Sequence, residues 1–259
     1  MSEPIRVLVL GAAGRMGRMV TAAVEAADGL LPVGAVDLPE LGADLSLPCF
    51  GTVAEAVAAT SPQVAIDFTH AAPARINLPA LIEHGVAPVI GTTGLSADEI
   101  AALDAAARAK GLPAFLAPNF AIGAVLMMRF AAEAAKYFDY AEVIEYHHEN
   151  KRDAPSGTAA KTVDLMLAAR GGDFSDTPVD EYETIDRARG GHKGFVHVHS
   201  VRMPGFVADQ DVLLGGPGEN LRISHRSLDR GCFMPGVVLA ARRVLGLPAG
   251  LTVGLDAVM

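Results

Sequence analysis

The chain has 259 residues, 51% of them hydrophobic, and a formal net charge of −9. That length allows one large domain or two modest ones with ample core, and the acidic balance excludes a general basic footprint for nucleic acid, so any anion site must be local. No apolar stretch reaches about 18 residues without charges, and the N-terminal run Ile5–Leu10 leads into glycines without a cleavage pattern, which makes a cytoplasmic protein without a membrane partner the expectation.

Up to about residue 120, short apolar runs alternate with Ala-rich helical patterns. Strands are expected at Arg6–Leu10, Pro32–Val36, Val64–Phe68, Ala87–Ile90 and Ala114–Ala117, each apolar enough to be buried on both faces. Helices are expected at Met16–Ala27, Val53–Ala59, Ala72–Glu83 and Ser96–Ala109, the last opened by a capping box of Ser96 with Glu99. Such alternation predicts a Rossmann-type parallel sheet with right-handed crossovers.

The pattern changes after Pro118. Gly123–Phe138 reads as an amphipathic helix, Glu142–His147 as a strand and Ser156–Ala169 as a helix. Residues 171–194 carry little periodicity and read as a mobile loop, lid or partner-facing excursion. Phe195–Met203, Gln210–Gly215 and Leu221–Arg226 read as strands of an antiparallel sheet, and Phe233–Leu245 as an apolar helix. The fold class is therefore α/β: a dinucleotide-binding domain from residues 1–121 and 230–259, with an α+β domain of mixed or antiparallel sheet, residues 122–229, inserted for substrate binding and oligomerisation.

Gly11-Ala12-Ala13-Gly14-Arg15-Met16-Gly17 follows the first strand and opens the first helix. Gly11 permits the tight turn, Gly14 lets backbone approach a pyrophosphate, and Gly17 lets helix pack on strand, with the helix N-terminus supplying N–H donors. The spacing is GxxGxxG rather than GxGxxG, and its strand–turn–helix setting strengthens it. Asp37 ends the second strand candidate, where a carboxylate accepts from the ribose hydroxyls and repels a 2′-phosphate. No Arg follows in Leu38-Pro39-Glu40, so NADH is expected to bind at least as well as NADPH, although Arg15 leaves dual use open. Gly91-Thr92-Thr93-Gly94 and Pro118-Asn119-Phe120 end later strands and are candidate borders of the nicotinamide half.

The richest stretch is residues 142–159. His147 is the leading acid candidate, because imidazole alone titrates near neutrality without perturbation. His147 and His148 point to opposite faces unless the strand ends or bulges there. Lys151 supplies a cation for a carboxylate or a second proton donor, and Gly157-Thr158 opens a helix whose first N–H groups favour an anion, with Ser156 as its cap. Metal motifs fail: His148-Glu149 is followed by Arg152 where HExxH requires histidine, and His197 and His199 share a strand face without a third ligand. Cys49 and Cys232 lack metal or redox spacing and read as reduced structural thiols.

From these residues alone, an oxidoreductase of some other amino-acid-derived substrate and a non-catalytic NAD-responsive module stay open. The first does not explain why the His-His-Lys cluster and helix start coincide, and the second has no need of an acid. GAAGRMG, GTTG, APNFAIG and EYHHENKRDAPSGTA together closely resemble the 4-hydroxy-tetrahydrodipicolinate (dihydrodipicolinate) reductase family, from about residue 5 to 245. The resemblance implies NAD(P)H-dependent reduction of a small dicarboxylate heterocycle on the route to diaminopimelate and lysine. It puts His147 and Lys151 on catalytic positions, and His148, Gly157 and Thr158 on substrate contacts. Gly11, Ala12, Ala13, Gly14, Arg15, Met16, Asp37, Gly91, Thr92, Thr93, Ala117, Pro118, Asn119 and Phe120 fall on cofactor contacts. It also implies a homotetramer assembled through the strand region 195–226, and domains that close over ligands about a hinge near 118–123. Some relatives carry Arg where Leu38 stands, which leans this chain toward NADH, and nothing is carried over to 171–210.

Overall fold

The computed structural model describes residues 3–42, 44–180 and 182–259. The chain forms two compact units, Met1–Ile122 with Phe233–Met259, and Gly123–Cys232. In chain order the first unit runs β1 (Ile5–Leu10), α1 (Arg15–Glu25), β2 (Leu30–Val36), β3 (Cys49–Phe50), α2 (Val53–Thr60), β4 (Val64–Asp67), α3 (Ala71–Glu83), β5 (Ala87–Ile90), α4 (Ala97–Ala109) and β6 (Pro113–Leu116). The second unit holds α5 (Ile122–Ala134), β7 (Tyr140–His147), α6 (Gly157–Arg170), β8 (Gly191–Lys193), β9 (Val196–Arg202), β10 (Ala208–Gly216) and β11 (Glu219–His225). The chain then returns to the first unit with α7 (Met234–Arg243) and β12 (Gly250–Val253).

The first unit is built on a parallel seven-stranded sheet, ordered β12-β6-β5-β4-β1-β2-β3. Its central strands are apolar runs without alternation because both faces are covered: Val7 to Leu10 and Val64 to Asp67 are all buried. On one face Leu8, Leu10, Ala65 and Ile90 pack with Leu78, Leu81 and Ile82 of α3 and Leu103 of α4. Each fully buried leucine or isoleucine contributes about 1.5–3 kcal/mol. The Ser96–Glu99 capping box is formed, and Thr52 with Glu55 makes a second one at the start of α2. All five expected strands occur within a few residues of their expected bounds; β3 and β12 are additional. Two residues carry no periodicity, so β3 had no signal to give.

In the second unit the five strands are ordered β11-β10-β7-β9-β8. The three strands expected there exist; β9 runs parallel to β7 while the remaining pairs are antiparallel, so of the mixed or antiparallel sheet expected the mixed form is the one present. The cause is α6, a helical crossover that carries the chain back before it re-enters the sheet. Ala141 and Val143 of β7 face a core with Met127 and Ala131 of α5, Val163 and Met166 of α6, and Val212 and Leu214 of β10. Strand alternation puts Glu145 and His147 on that same face.

Within the stretch 171–194, read as a mobile loop, lid or partner-facing excursion, residue 181 lies outside the described residues and the rest is anchored by the contacts that follow. Phe174 is buried in the core beneath the Arg170 guanidinium, and its N–H donates to Gly194 O at 3.0 Å. Glu183 accepts the N–H groups of Arg187 and Arg189, and Gly191–Lys193 pairs with β9 as an edge strand. Both ends of the excursion are thus tied down. The tie from Phe174 to Gly194 spans 20 residues and the others fall at irregular spacings, so no periodic pattern marks them.

Candidate active site

In the first unit the residues expected to contact a dinucleotide meet at the carboxyl edge of the sheet. The glycine turn follows β1, Asp37 follows β2, Gly91-Thr92-Thr93 follows β5, and Ala117 to Phe120 follow β6. Gly11 has φ +74°, and a Cβ on Gly17 would lie 2.0 Å from Gly11 O, so only glycine lets α1 begin this close to the turn. Gly14 caps α1 without a side-chain hydrogen bond, which leaves the helix start to an anion. Asp37 Oδ2 accepts the Ala13 N–H at 2.9 Å and Oδ1 the Leu38 N–H at 2.8 Å, binding the end of β2 to the glycine turn. Ala12, Thr92, Ala117 and Phe120 are buried, Met16, Gly91 and Asn119 half-buried, and Gly14, Arg15, Thr93 and Pro118 exposed. Residues of these types at this edge fit a dinucleotide: a glycine cradle for a pyrophosphate and a carboxylate for ribose hydroxyls.

In the second unit β7 ends at His147, so the alternation rule that would separate His147 from His148 stops applying between them. The His147 side chain is 13% exposed and His148 is half-buried. The His148 carbonyl accepts the Lys151 N–H at 3.2 Å, which folds the turn back on itself. Lys151 Nζ contacts both oxygens of Asp153, and this hydrogen bond holds the Asp153 carboxyl below its ordinary value. Ser156 caps α6 by accepting the Ala159 N–H, and Gly157 starts the helix with nothing within 4 Å of the place its Cβ would occupy. First-turn N–H groups of a helix together with a nearby ammonium suit a carboxylate.

The sequence reading missed the buried acid that joins these parts. Glu145 is fully buried; its Oε2 lies 2.5 Å from His147 Nδ1, and its Oε1 accepts the Ser156 N–H at 3.2 Å. Arg202 donates to both carboxylate oxygens, at 2.8 and 2.6 Å, and to Asp153 O at 2.8 Å. Burial pushes the Glu145 carboxyl up, but hydrogen bonds from His147, Arg202 and Ser200 outweigh it and hold the group at about 2. A signal was present: a carboxylate stands in phase with Val143 and His147 on an otherwise apolar strand face. Arg202 is 57 residues from Glu145 and had none.

A second omission is Asp67, fully buried at the end of β4. Its Oδ1 accepts the Thr69 N–H at 2.8 Å and the hydroxyls of Thr69 and Thr92 at 2.6 Å each, locking the loops after β4 and β5 together. Cys49 and Cys232 are free thiols, and no group of three or more His, Cys, Asp or Glu side chains placed to hold a metal occurs among the described residues. His197 Nδ1 faces Arg189 O and His199 Nε2 faces Glu142, so sheet contacts occupy both histidines.

Comparison with known proteins gives one consistent family. The description "dihydrodipicolinate reductase, N-terminus" matches residues 5–120 and "dihydrodipicolinate reductase, C-terminus" matches residues 123–259. A protein of Moorella thermoacetica named 4-hydroxy-tetrahydrodipicolinate reductase is 44% identical over 265 residues, spanning 99% of this chain and 98% of that one. A protein of Nocardia farcinica with the same name is 48% identical over 256 residues, 97% of each. Among solved structures, a dipicolinate-bound dihydrodipicolinate reductase from Paenisporosarcina sp. TG-14 superposes with a TM-score of 0.88 at 34% identity, covering 99% of this chain and 100% of that one.

Proposed function

The chain belongs to the dihydrodipicolinate reductase family, and on that premise we propose that it reduces 4-hydroxy-tetrahydrodipicolinate to tetrahydrodipicolinate, in diaminopimelate and lysine biosynthesis, with a nicotinamide cofactor. The observation that carries this reading is the family match along both units, residues 5–120 and 123–259. In balance, the substrate takes up one hydride and one proton and gives tetrahydrodipicolinate and water. A reduced nicotinamide, when bound, supplies the hydride. The ring carbon that receives it is C4, made electrophilic by conjugation to the ring imine as the 4-hydroxyl departs.

The protein's own work is binding, orientation and proton supply. Gly11 to Met16 hold the pyrophosphate, Asp37 the adenosine ribose, and Gly91 to Thr93 with Ala117 to Phe120 border the nicotinamide half. With Asp37 in place and Leu38 beside it, NADH serves at least as well as NADPH. His147 delivers the proton to the ring. Lys151 and the amides of Gly157 and Thr158 hold the substrate carboxylates, and His148 adds a further contact. Fixed charges and positioning of this kind each contribute several kcal/mol to a rate.

Assembly as a homotetramer through the sheet of the second unit belongs to the same reading, and light scattering of the purified protein tests it. No helix among the described residues is long and apolar enough to cross a membrane. The deciding assay follows NADH oxidation with freshly generated substrate and identifies the product. Absence of turnover with that substrate, in protein that binds NADH, overturns the proposal.

A further inference from the structure

We propose that Glu145, clamped by Arg202, is the positioning residue of the acid His147: it fixes which ring nitrogen carries the delivered proton. The inference rests on the reading of His147 as the acid.

An ionised carboxylate only accepts hydrogen bonds. Glu145 Oε2, 2.5 Å from Nδ1, therefore requires the proton of the neutral ring to sit on Nδ1. Nε2 is then the nitrogen that gains a proton in the imidazolium and gives it up to the substrate. The carboxylate stays ionised because Arg202 grips it with two nitrogens, at 2.6 and 2.8 Å.

The same carboxylate holds the Ser156 N–H, and the same guanidinium holds Asp153 O, so the acid is spaced from the start of α6 by one buried group. An apolar residue at position 145 would fill the core and do none of this.

Glu145→Gln keeps the shape and removes the charge. The expected result is a kcat lower by at least about tenfold near neutrality with KM within about threefold. A misplaced ring proton acts on proton transfer and not on binding, so kcat falls while KM holds. Glu145→Asp restores part of kcat. A folded Glu145→Gln protein with kcat within about twofold overturns the inference. Should that variant not fold, the 15N resonances of His147 in the wild type, assigned by their loss in His147→Gln, decide instead: a neutral ring protonated on Nδ1 supports the inference, and one protonated on Nε2 overturns it. The resonances report on Glu145 even if the wild type fails to turn over the proposed substrate, so failure of the functional reading is distinguishable from failure of this one.

Discussion

Lys151 Nζ lies 2.8 and 2.9 Å from the two carboxylate oxygens of Asp153. The ammonium is therefore held in the turn by a mostly exposed partner, which on the proposed function a substrate carboxylate would replace. Hydrogen bonds to charged groups are worth about 1.5–3 kcal/mol, so Lys151→Met is expected to lower kcat/KM by roughly 10- to 150-fold. Thermal stability changes little, because Asp153 is then a solvated surface carboxylate; its side chain is 59% exposed. Steady-state kinetics beside a melting curve checks this, and an unchanged kcat/KM removes Lys151 from the site.

The Asp37 carboxylate is fixed by the Ala13 and Leu38 N–H groups, and on the proposed cofactor reading a 2′-phosphate would meet it there. NADH should give a kcat/KM at least equal to that of NADPH. Leu38 is exposed, and Leu38→Arg at that place should raise NADPH use about tenfold relative to NADH, the equivalent of about 1.4 kcal/mol. Initial rates with both cofactors decide it. A wild-type preference of about 100-fold for NADPH contradicts the reading.

The first unit was legible because its signals are local. Buried parallel strands are apolar runs, and the turn Gly11–Gly17 sits within one strand–helix step. In the second unit the motif of residues 147–158 stood out in the sequence, and the architecture was less legible. The parallel pairing of β7 with β9 depends on a crossover, and the tie between Phe174 and Gly194 spans an excursion without periodicity. Asp67 and Glu145 were overlooked for one shared reason. Each is a charged residue buried at a strand end, and its value lies in partners that only the fold brings near, such as Thr92 and Arg202. Local pattern marked the candidate groups; it did not mark the buried partners that hold them in place.

Buried acids make stability fall at low pH. The folded pKa of Glu145 is about 2 against an ordinary 4.5, so its contribution is present above about 4.5 and is lost as pH falls toward 2. For this fully buried group the loss is about 3 kcal/mol. Asp211, also fully buried, shifts the same way: burial pushes it up, but Arg226, Ser224, Arg222 and Tyr146 outweigh that and hold it well below the carboxylate range. Urea unfolding between pH 5 and 2.5, limits roughly set by these shifts, should show falling stability. Asp211→Asn should fall less steeply, and an equal slope in the variant removes Asp211 as a cause.

Two glycines separate stability from ligand binding. At Gly17 a methyl would stand 2.0 Å from Gly11 O and 2.6 Å from Ala12 Cα, both backbone atoms that cannot rotate away. Gly17→Ala is expected to cost about 1–3 kcal/mol or more and to abolish measurable NADH binding in a fluorescence titration. At Gly157 the same methyl meets nothing within 4 Å, and alanine is the better helix former by up to about 1 kcal/mol. Gly157→Ala should therefore melt no lower than the wild type and bind NADH normally. If a substrate carboxylate approaches the start of α6, the methyl occupies its path and KM for the substrate rises about tenfold, the equivalent of about 1.4 kcal/mol. An unchanged KM in a stable Gly157→Ala protein would place the carboxylate elsewhere and leave Lys151 as its principal holder.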